Sequence, residues 1–143
     1  MIPFLPTMSN ARVLVIEDDP PSRMMLARGL QRMGFLVEAC PDAIEAQARL
    51  RTDGPVAYDA VVVDLRMPRM DGLEFITWLE SVDPHLGCML LTAQQDDAMS
   101  DHREHPSLLY RMQKPTSFPV LGEALQKVVA FTHAGRAEKT TAA

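Results

Sequence analysis

Five side chains able to do chemistry stand at the ends of short apolar stretches of this chain. Glu17 and Asp18 end one stretch, and Asp64, Thr92 and Lys114 each end another. If these stretches are parallel strands, their carboxyl ends share one edge of a sheet, which is where open α/β sheets bind ligands. Three carboxylates at that edge repel one another unless a cation lies among them, and hard oxygen ligands suit Mg²⁺.

The same residues could also bind and accept a phosphoryl group. Asp64 could attack phosphorus and form an acyl phosphate. The Thr92 hydroxyl could hydrogen-bond a phosphoryl oxygen, and the Lys114 ammonium could pair with an aspartate or a phosphoryl oxygen as a point charge. Each residue alone has an ordinary structural explanation, since acidic residues often cap helices. Their occurrence at the ends of separate strands favours the chemical interpretation.

Alternating strands and helices would hold these groups in place. Continuous apolar runs predict five strands, at residues 13–16, 35–40, 61–64, 88–91 and 108–112. Helices are expected after Asp19, with Pro20 as the first helical residue, after Pro41-Asp42, around residues 73–79 and from near Ser117 onwards. This alternation predicts parallel strands joined by right-handed crossovers, and hence a doubly wound α/β sheet.

The predicted helices, with one exception, present an apolar stripe to the sheet. The stripes are Leu26, Leu30 and Met33, widened by Met24 and Met25, in the first helix; Ile44, Ala48 and Leu50 in the second; and Leu121, Leu125, Val128 and Val129 in the last. The exception is the fourth crossover, residues 94–106, in which only Ala98 and Met99 could reach a core. A helix gains most of its stability from packing such a face, so we expect this polar crossover to be short, irregular or mobile.

Length and composition favour one α/β domain. The 143 residues suit a single domain, expected over residues 11–132 between an N-terminal extension, 1–10, and a flexible tail, 133–143. The net charge of −5 argues against a general nucleic-acid surface, and no apolar run reaches the roughly 20 residues that cross a bilayer. Cys40 and Cys88 lack metal-ligand spacing, so we expect them in the core of a protein from a reducing compartment, the cytoplasm.

These motifs resemble the receiver domains of two-component response regulators, including chemotaxis regulators. The matching pieces are Val13-Leu14-Val15-Ile16-Glu17-Asp18-Asp19, Val63-Asp64-Leu65-Arg66-Met67-Pro68 with Asp71-Gly72, Leu91-Thr92-Ala93 and Lys114-Pro115. Together they span nearly the whole chain. The resemblance implies a flavodoxin-like fold with five parallel strands in the order 2-1-3-4-5.

Each site residue takes a role from this resemblance. Asp64 would be the phosphoacceptor. The Mg²⁺ ligands, direct or through water, would be Glu17, Asp18, Asp64 and the backbone carbonyl of Arg66. Thr92 and Lys114 would contact the phosphoryl group, and the peptide bond between Lys114 and Pro115 would be cis.

The implied strand order also separates the two cysteines. Strands two and four lie three positions apart, or roughly 14 Å at about 4.8 Å per strand. A disulfide needs Cα atoms within about 7 Å of each other. Cys40 and Cys88 are therefore predicted to be free thiols.

Two departures from the family pattern concern its switch region. Family members commonly carry an aromatic residue three positions before the lysine, which reorients with the threonine on activation, and here that position is Arg111. Tyr110 lies one residue earlier, so it should face the other side of the sheet. The second departure is the polar crossover, where Arg111 could pair with Asp96, Asp97 or Asp101. We expect activation to be read through residues 94–106 and the last helix.

The complete set of acidic, threonine and lysine residues, without an output domain beside it, favours a stand-alone signalling receiver rather than an enzyme. It would take a phosphoryl group from a histidine kinase or phosphotransfer protein and act on a downstream protein target, without binding nucleic acid or membrane; a homodimer is left open. Two alternatives stay open: a phosphorylation-independent interaction module, and an aspartyl-nucleophile phosphatase resembling the haloacid dehalogenases. The phosphatase is disfavoured because Arg66 stands where its general acid is needed.

Overall fold

The computed structural model describes residues 10–93 and 105–142, and within those ranges it contains five strands and four α-helices. The strands are β1 (Arg12–Ile16), β2 (Leu36–Cys40), β3 (Ala60–Asp64), β4 (Cys88–Thr92) and β5 (Leu108–Gln113). The helices are α1 (Pro20–Arg32), α2 (Ala43–Asp53), α3 (Gly72–Val82) and α4 (Phe118–Ala142), and a 3₁₀ turn, Pro55–Ala57, precedes β3. The alternation predicted from the apolar runs is confirmed.

The five strands form one parallel sheet in the order β2-β1-β3-β4-β5. This is the doubly wound, flavodoxin-like order that the motifs implied. Strand β3 lies at the centre and is buried along its whole length, as is its neighbour β4. Continuous apolar sequence suits these positions because helices cover both faces of a parallel sheet. The carboxyl ends of all five strands face one edge.

Each face of the sheet has its own hydrophobic core. The core formed with α2 and α3 includes Leu50 and Phe75. The core formed with α1 and α4 includes Leu30 and Leu125. Successive strand residues alternate between the two cores. The sheet is therefore packed on both faces, which holds the carboxyl ends of its strands in fixed positions.

Two of the predicted helix faces were wrong in part: Leu26, Leu30 and Met33 of α1 and Leu50 of α2 contact the core as predicted, but other members of the stripes do not. In α1, Met24 and Met25 are 54% and 64% exposed rather than part of the core-facing stripe. In α2, Ile44 is 42% exposed. The buried residues of α2 are Ala43, Ala46, Gln47 and Leu50. The face of α2 that packs on the sheet thus holds two alanines, a glutamine and a leucine, and the prediction from hydrophobicity alone chose the larger Ile44 instead.

Helix α4 extends beyond its predicted end. The polar sequence of residues 133–143 predicts a flexible tail, whereas α4 continues to Ala142. Nε2 of His133 lies 2.8 Å from Oδ1 of Asp59, and the Arg136 guanidinium donates to Asp83 Oδ2 at 3.3 Å. These partners are distant in sequence, so local polarity did not reveal them. Within the described ranges no helix, α4 included, is both long and apolar enough to cross a membrane.

Both cysteines are buried free thiols, as predicted. Cys40 ends β2 and Cys88 begins β4, and strands β1 and β3 lie between them. Burial raises the pKa of Cys40 to about 11 and that of Cys88 to about 12. Both thiols stay protonated at neutral pH, which makes them packing residues rather than nucleophiles.

The polar crossover falls largely on residues 94–104, which lie outside the described residues. The predictions made for it, including the pairing of Arg111 with Asp96, Asp97 or Asp101, stay predictions. From residue 105 onwards, Glu80 of α3 holds the chain that leads into β5. Its Oε2 accepts hydrogen bonds from the backbone N–H and the hydroxyl of Ser107, at 3.0 and 2.7 Å. Strand β5 therefore begins from a fixed point.

Candidate functional site

The five predicted site residues lie at one edge of the sheet, at the carboxyl ends of β1, β3, β4 and β5. One carboxylate oxygen from each of Glu17, Asp18 and Asp64 lies within 4.8 Å of the other two. Glu17 and Asp64 are only 2% and 7% exposed, whereas Asp18 is open to solvent. Carboxylates this close and this buried need positive charge or hydrogen-bond donors around them.

The loop between β1 and α1 folds back on Glu17. The Glu17 N–H donates to the carbonyl of Cys40 at the end of β2, at 3.1 Å. Its Oε2 accepts a hydrogen bond from the backbone N–H of Asp19, also at 3.1 Å. Asp19 caps α1 by accepting from Ser22, which lowers the pKa of Asp19, and Pro20 begins the helix as predicted. The cap and the strand end together hold the acidic loop.

Lys114 places a positive charge among the carboxylates. Its Nζ lies 2.6 Å from Oε1 of Glu17 and 3.2 Å from Oδ2 of Asp64. Burial alone lowers the pKa of Lys114, but the hydrogen bond with Glu17 and the charges of Asp64 and Glu17 outweigh it, so the pKa is raised. The ammonium is therefore charged at neutral pH and bridges β1 and β3.

The ends of β4 and β5 are joined in the register that brings Lys114 to the site. The Lys114 N–H donates to the carbonyl of Thr92 at 2.8 Å, and the bond between Lys114 and Pro115 is cis, as the resemblance implied. Thr92 is buried. The backbone N–H of Arg66 lies 3.4 Å from Oδ1 of Asp64. The main chain at Arg66 thus touches the site through its N–H, and the ligand role of its carbonyl stays a prediction.

Gly72 shapes the loop after Asp64, a role that its place in the Asp71-Gly72 motif did not reveal. Its N–H donates to the carbonyl of Leu65 at 2.8 Å, which closes the loop between β3 and α3. A Cβ at this position would lie 2.6 Å from the carbonyl oxygen of Asp64 and 3.1 Å from Cα of Leu65. Only glycine lets α3 begin this close to the backbone that carries the Asp64 carboxylate.

Gly72→Ala should destabilise the fold and disturb the site. The new methyl group must displace backbone, and overpacking of this kind costs about 1–3 kcal/mol. We expect a lower urea midpoint and weaker binding of divalent cations by calorimetry. Gly122→Ala is the matched control, because its methyl group would meet only the flexible tip of Met33. An equal loss of stability in the two variants would contradict the special role of Gly72.

The donor set fits Mg²⁺. Three carboxylates supply hard oxygen ligands, and the exposure of Asp18 leaves room for the waters that Mg²⁺ usually keeps. Lys114 offsets one of the three negative charges, which leaves a formal excess of two. A divalent cation would balance that excess.

The response regulator receiver domain model matches residues 13–126, which include every residue of this edge of the sheet. The match covers most of the chain. The chain therefore belongs to the response regulator receiver domain family. Receiver domains bind Mg²⁺ at an acidic site of this kind and partner with histidine kinases or phosphotransfer proteins.

Curated relatives of the chain are response regulators. Response regulator MprA of Mycobacterium ulcerans is 39% identical over 92 residues, which cover 64% of this chain and 38% of that protein. MprA of Mycobacterium avium is 40% identical over 90 residues, 63% of this chain and 37% of that protein. The matched segment thus spans less than half the length of these relatives.

Solved structures share the fold. Response regulator TrrA from Thermotoga maritima, in complex with Mg²⁺ and BeF, aligns with a TM-score of 0.74 at 25% identity, over 82% of this chain and 98% of that one. Chemotaxis protein CheY4 of Vibrio cholerae aligns with a TM-score of 0.70 at 26% identity, over 84% and 99%. Both alignments confirm the flavodoxin-like receiver fold.

Strand β5 separates Tyr110 and Arg111 as predicted. Tyr110 packs against the core formed with α1 and α4. Arg111 pairs in register with Leu90, a member of the core formed with α2 and α3, so it lies on the opposite face. Burial lowers the pKa of Arg111. The face where the family commonly carries its aromatic residue thus holds a half-buried arginine.

Proposed function

We propose that the chain is a phosphoacceptor receiver in which Asp64 takes a phosphoryl group from a histidine kinase or a phosphotransfer protein. The setting of the Asp64 carboxylate carries the proposal. It ends the central strand, its Oδ2 lies 3.2 Å from the Lys114 ammonium, and it has Glu17 and Asp18 oxygens within 4.8 Å. An aspartate so placed can serve as the nucleophile toward phosphorus.

The acidic residues would hold the metal ion. The ligands would be Glu17, Asp18, Asp64 and the backbone carbonyl of Arg66. Mg²⁺ bound there would neutralise negative charge on the phosphoryl oxygens. The burial of Glu17 and Asp64 fixes two of these ligands before any ion arrives, because their side chains have little room to move.

The transfer itself would be carried by three side chains. One oxygen of Asp64 forms a bond to phosphorus while the bond from phosphorus to the donor's imidazole nitrogen breaks, and the imidazole keeps that electron pair. Lys114, already beside Oδ2 of Asp64, would pair with a phosphoryl oxygen. The Thr92 hydroxyl would hydrogen-bond another. The product is an acyl phosphate on Asp64.

The chain would act as a signalling module in the cytoplasm rather than as an enzyme. The phosphorylated form would bind a downstream protein target, with no contact to nucleic acid or membrane. Arg66 cannot donate a proton as a carboxylic acid would, which argues against turnover as an aspartyl phosphatase. The acyl phosphate would therefore serve as a signal.

The test is labelling with acetyl phosphate followed by intact-mass spectrometry. With Mg²⁺ the chain should gain the mass of one phosphoryl group, and hydroxylamine should remove it. With a chelator in place of Mg²⁺ the gain should vanish. A folded chain that takes no label, from acetyl phosphate or from a histidine kinase, would contradict the proposal and favour the phosphorylation-independent interaction module.

A further inference from the structure

We propose that Arg23 is a positioning residue that holds the acidic loop in the shape that binds Mg²⁺. The inference rests on the proposed function, since it assumes that the site takes this ion. Arg23 lies in α1 and is half-buried. Its Nη1 donates a hydrogen bond to the backbone carbonyl of Glu17 at 2.9 Å. The side chain thus ties helix α1 to the end of β1.

The carbonyl that Arg23 holds belongs to the peptide group between Glu17 and Asp18. A peptide group is planar, so fixing its oxygen also fixes the N–H and the Cα of Asp18, the atom from which its side chain leaves the backbone. Asp18 is exposed, and packing does little to orient it. Glu17, in contrast, is buried and bonded to Lys114. Arg23 therefore acts mainly on Asp18, the proposed ligand that packing orients least.

The charge of Arg23 has the opposite effect. A guanidinium near the acidic loop repels a divalent cation, so removing the charge alone would tighten Mg²⁺ binding. Removing the hydrogen bond would loosen the loop and weaken binding. Groups that orient metal ligands typically contribute about 10–100-fold in affinity. A lower Mg²⁺ affinity after replacement of Arg23 would therefore indicate positioning, and a higher affinity would indicate an effect of charge alone.

A matched control lies on the same helix. Helix α1 contains Arg23, Arg28 and Arg32 and no acidic residue. Arg28 is exposed and lines a groove between α1 and α4 with Met24 and Phe118. Arg28→Met removes the same charge from α1 without touching the Glu17 carbonyl. Any loss of affinity specific to Arg23 can then be assigned to the hydrogen bond.

The experiment is calorimetric titration of Mg²⁺ into the full chain and three variants. Arg23→Met should bind Mg²⁺ at least about tenfold more weakly than wild type. Arg23→Lys keeps the positive charge and a group that can donate to the Glu17 carbonyl, so its Mg²⁺ affinity should fall less than that of Arg23→Met. Arg28→Met should bind as wild type or slightly more tightly. Acetyl phosphate labelling of Arg23→Met should recover at saturating Mg²⁺, which a general loss of structure would not allow.

Several results would overturn the inference. Arg23→Met binding Mg²⁺ as tightly as wild type, or more tightly, would show that the residue acts through charge or not at all. An equal loss in Arg28→Met would show that the effect is not specific to the hydrogen bond between Arg23 and the Glu17 carbonyl. If Arg23→Met fails to fold, the Mg²⁺ affinity of Arg23→Lys is compared with those of wild type and Arg28→Met instead. Wild type that binds no Mg²⁺ would overturn the proposed function together with this inference.

Discussion

Asp64→Asn should abolish phosphoryl labelling of the chain. The amide is close in size to the carboxylate but lacks the anionic oxygen that must bond to phosphorus, so no acyl phosphate can form. Asp64 is the residue that ends the central strand β3 and its Oδ2 contacts the Lys114 ammonium, so the reacting oxygen is expected to come from Asp64 alone. We expect labelling by acetyl phosphate and Mg²⁺ to fall to background in intact-mass spectra.

Asp42→Asn is the control for this substitution. Asp42 follows β2 at the same edge of the sheet and caps α2 by accepting from the N–H of Glu45 at 2.8 Å. Asparagine caps helices about as well as aspartate, so this variant loses a carboxylate without losing the helix start. It should label like wild type. If Asp64→Asn retained hydroxylamine-sensitive label, another residue would be the phosphoacceptor.

The ends of the strands were predictable from sequence because two simple constraints act together. Continuous apolar runs define buried strands, and parallel topology places all their carboxyl ends at one edge. Asp64 and Lys114 are 50 residues apart in the chain, yet their side chains meet at 3.2 Å. The cis bond at Pro115 and the strand order came from the resemblance rather than from the residues alone.

Other features depend on contacts that a linear pattern does not encode. The exposure of Met24 and Ile44 follows from which side of each helix packs on the sheet. The length of α4 depends on Asp59 and Asp83, its partners in distant loops. The contact of Arg23 with the Glu17 carbonyl joins a helix to a strand end through one main-chain atom. Such contacts become visible only once the elements are assembled.

Lys114→Met should destabilise the chain strongly in metal-free buffer. The Lys114 ammonium lies between Glu17 and Asp64, and its removal leaves two nearly buried carboxylates side by side without the positive charge that joins them. Breaking a buried ion pair by removing one partner costs about 3–5 kcal/mol. Because the site opens to solvent at Asp18, water screens part of this cost. We therefore expect the free energy of unfolding, measured in urea, to fall by about 2–3 kcal/mol. Mg²⁺ should restore more stability to this variant than to wild type.

The pH dependence of this difference follows from the raised pKa of Lys114. Its folded pKa lies above the usual 10.5, so the ammonium stabilises the fold fully below about pH 10.5, and this contribution is lost as pH rises through the folded pKa. The stability gap between wild type and Lys114→Met should stay constant from about pH 7 to about pH 9 and close only in stronger alkali. Lys127→Met, which removes an exposed lysine of α4, should show no gap. A Lys114→Met chain as stable as wild type without Mg²⁺ would mean that the ammonium does not balance Glu17 and Asp64.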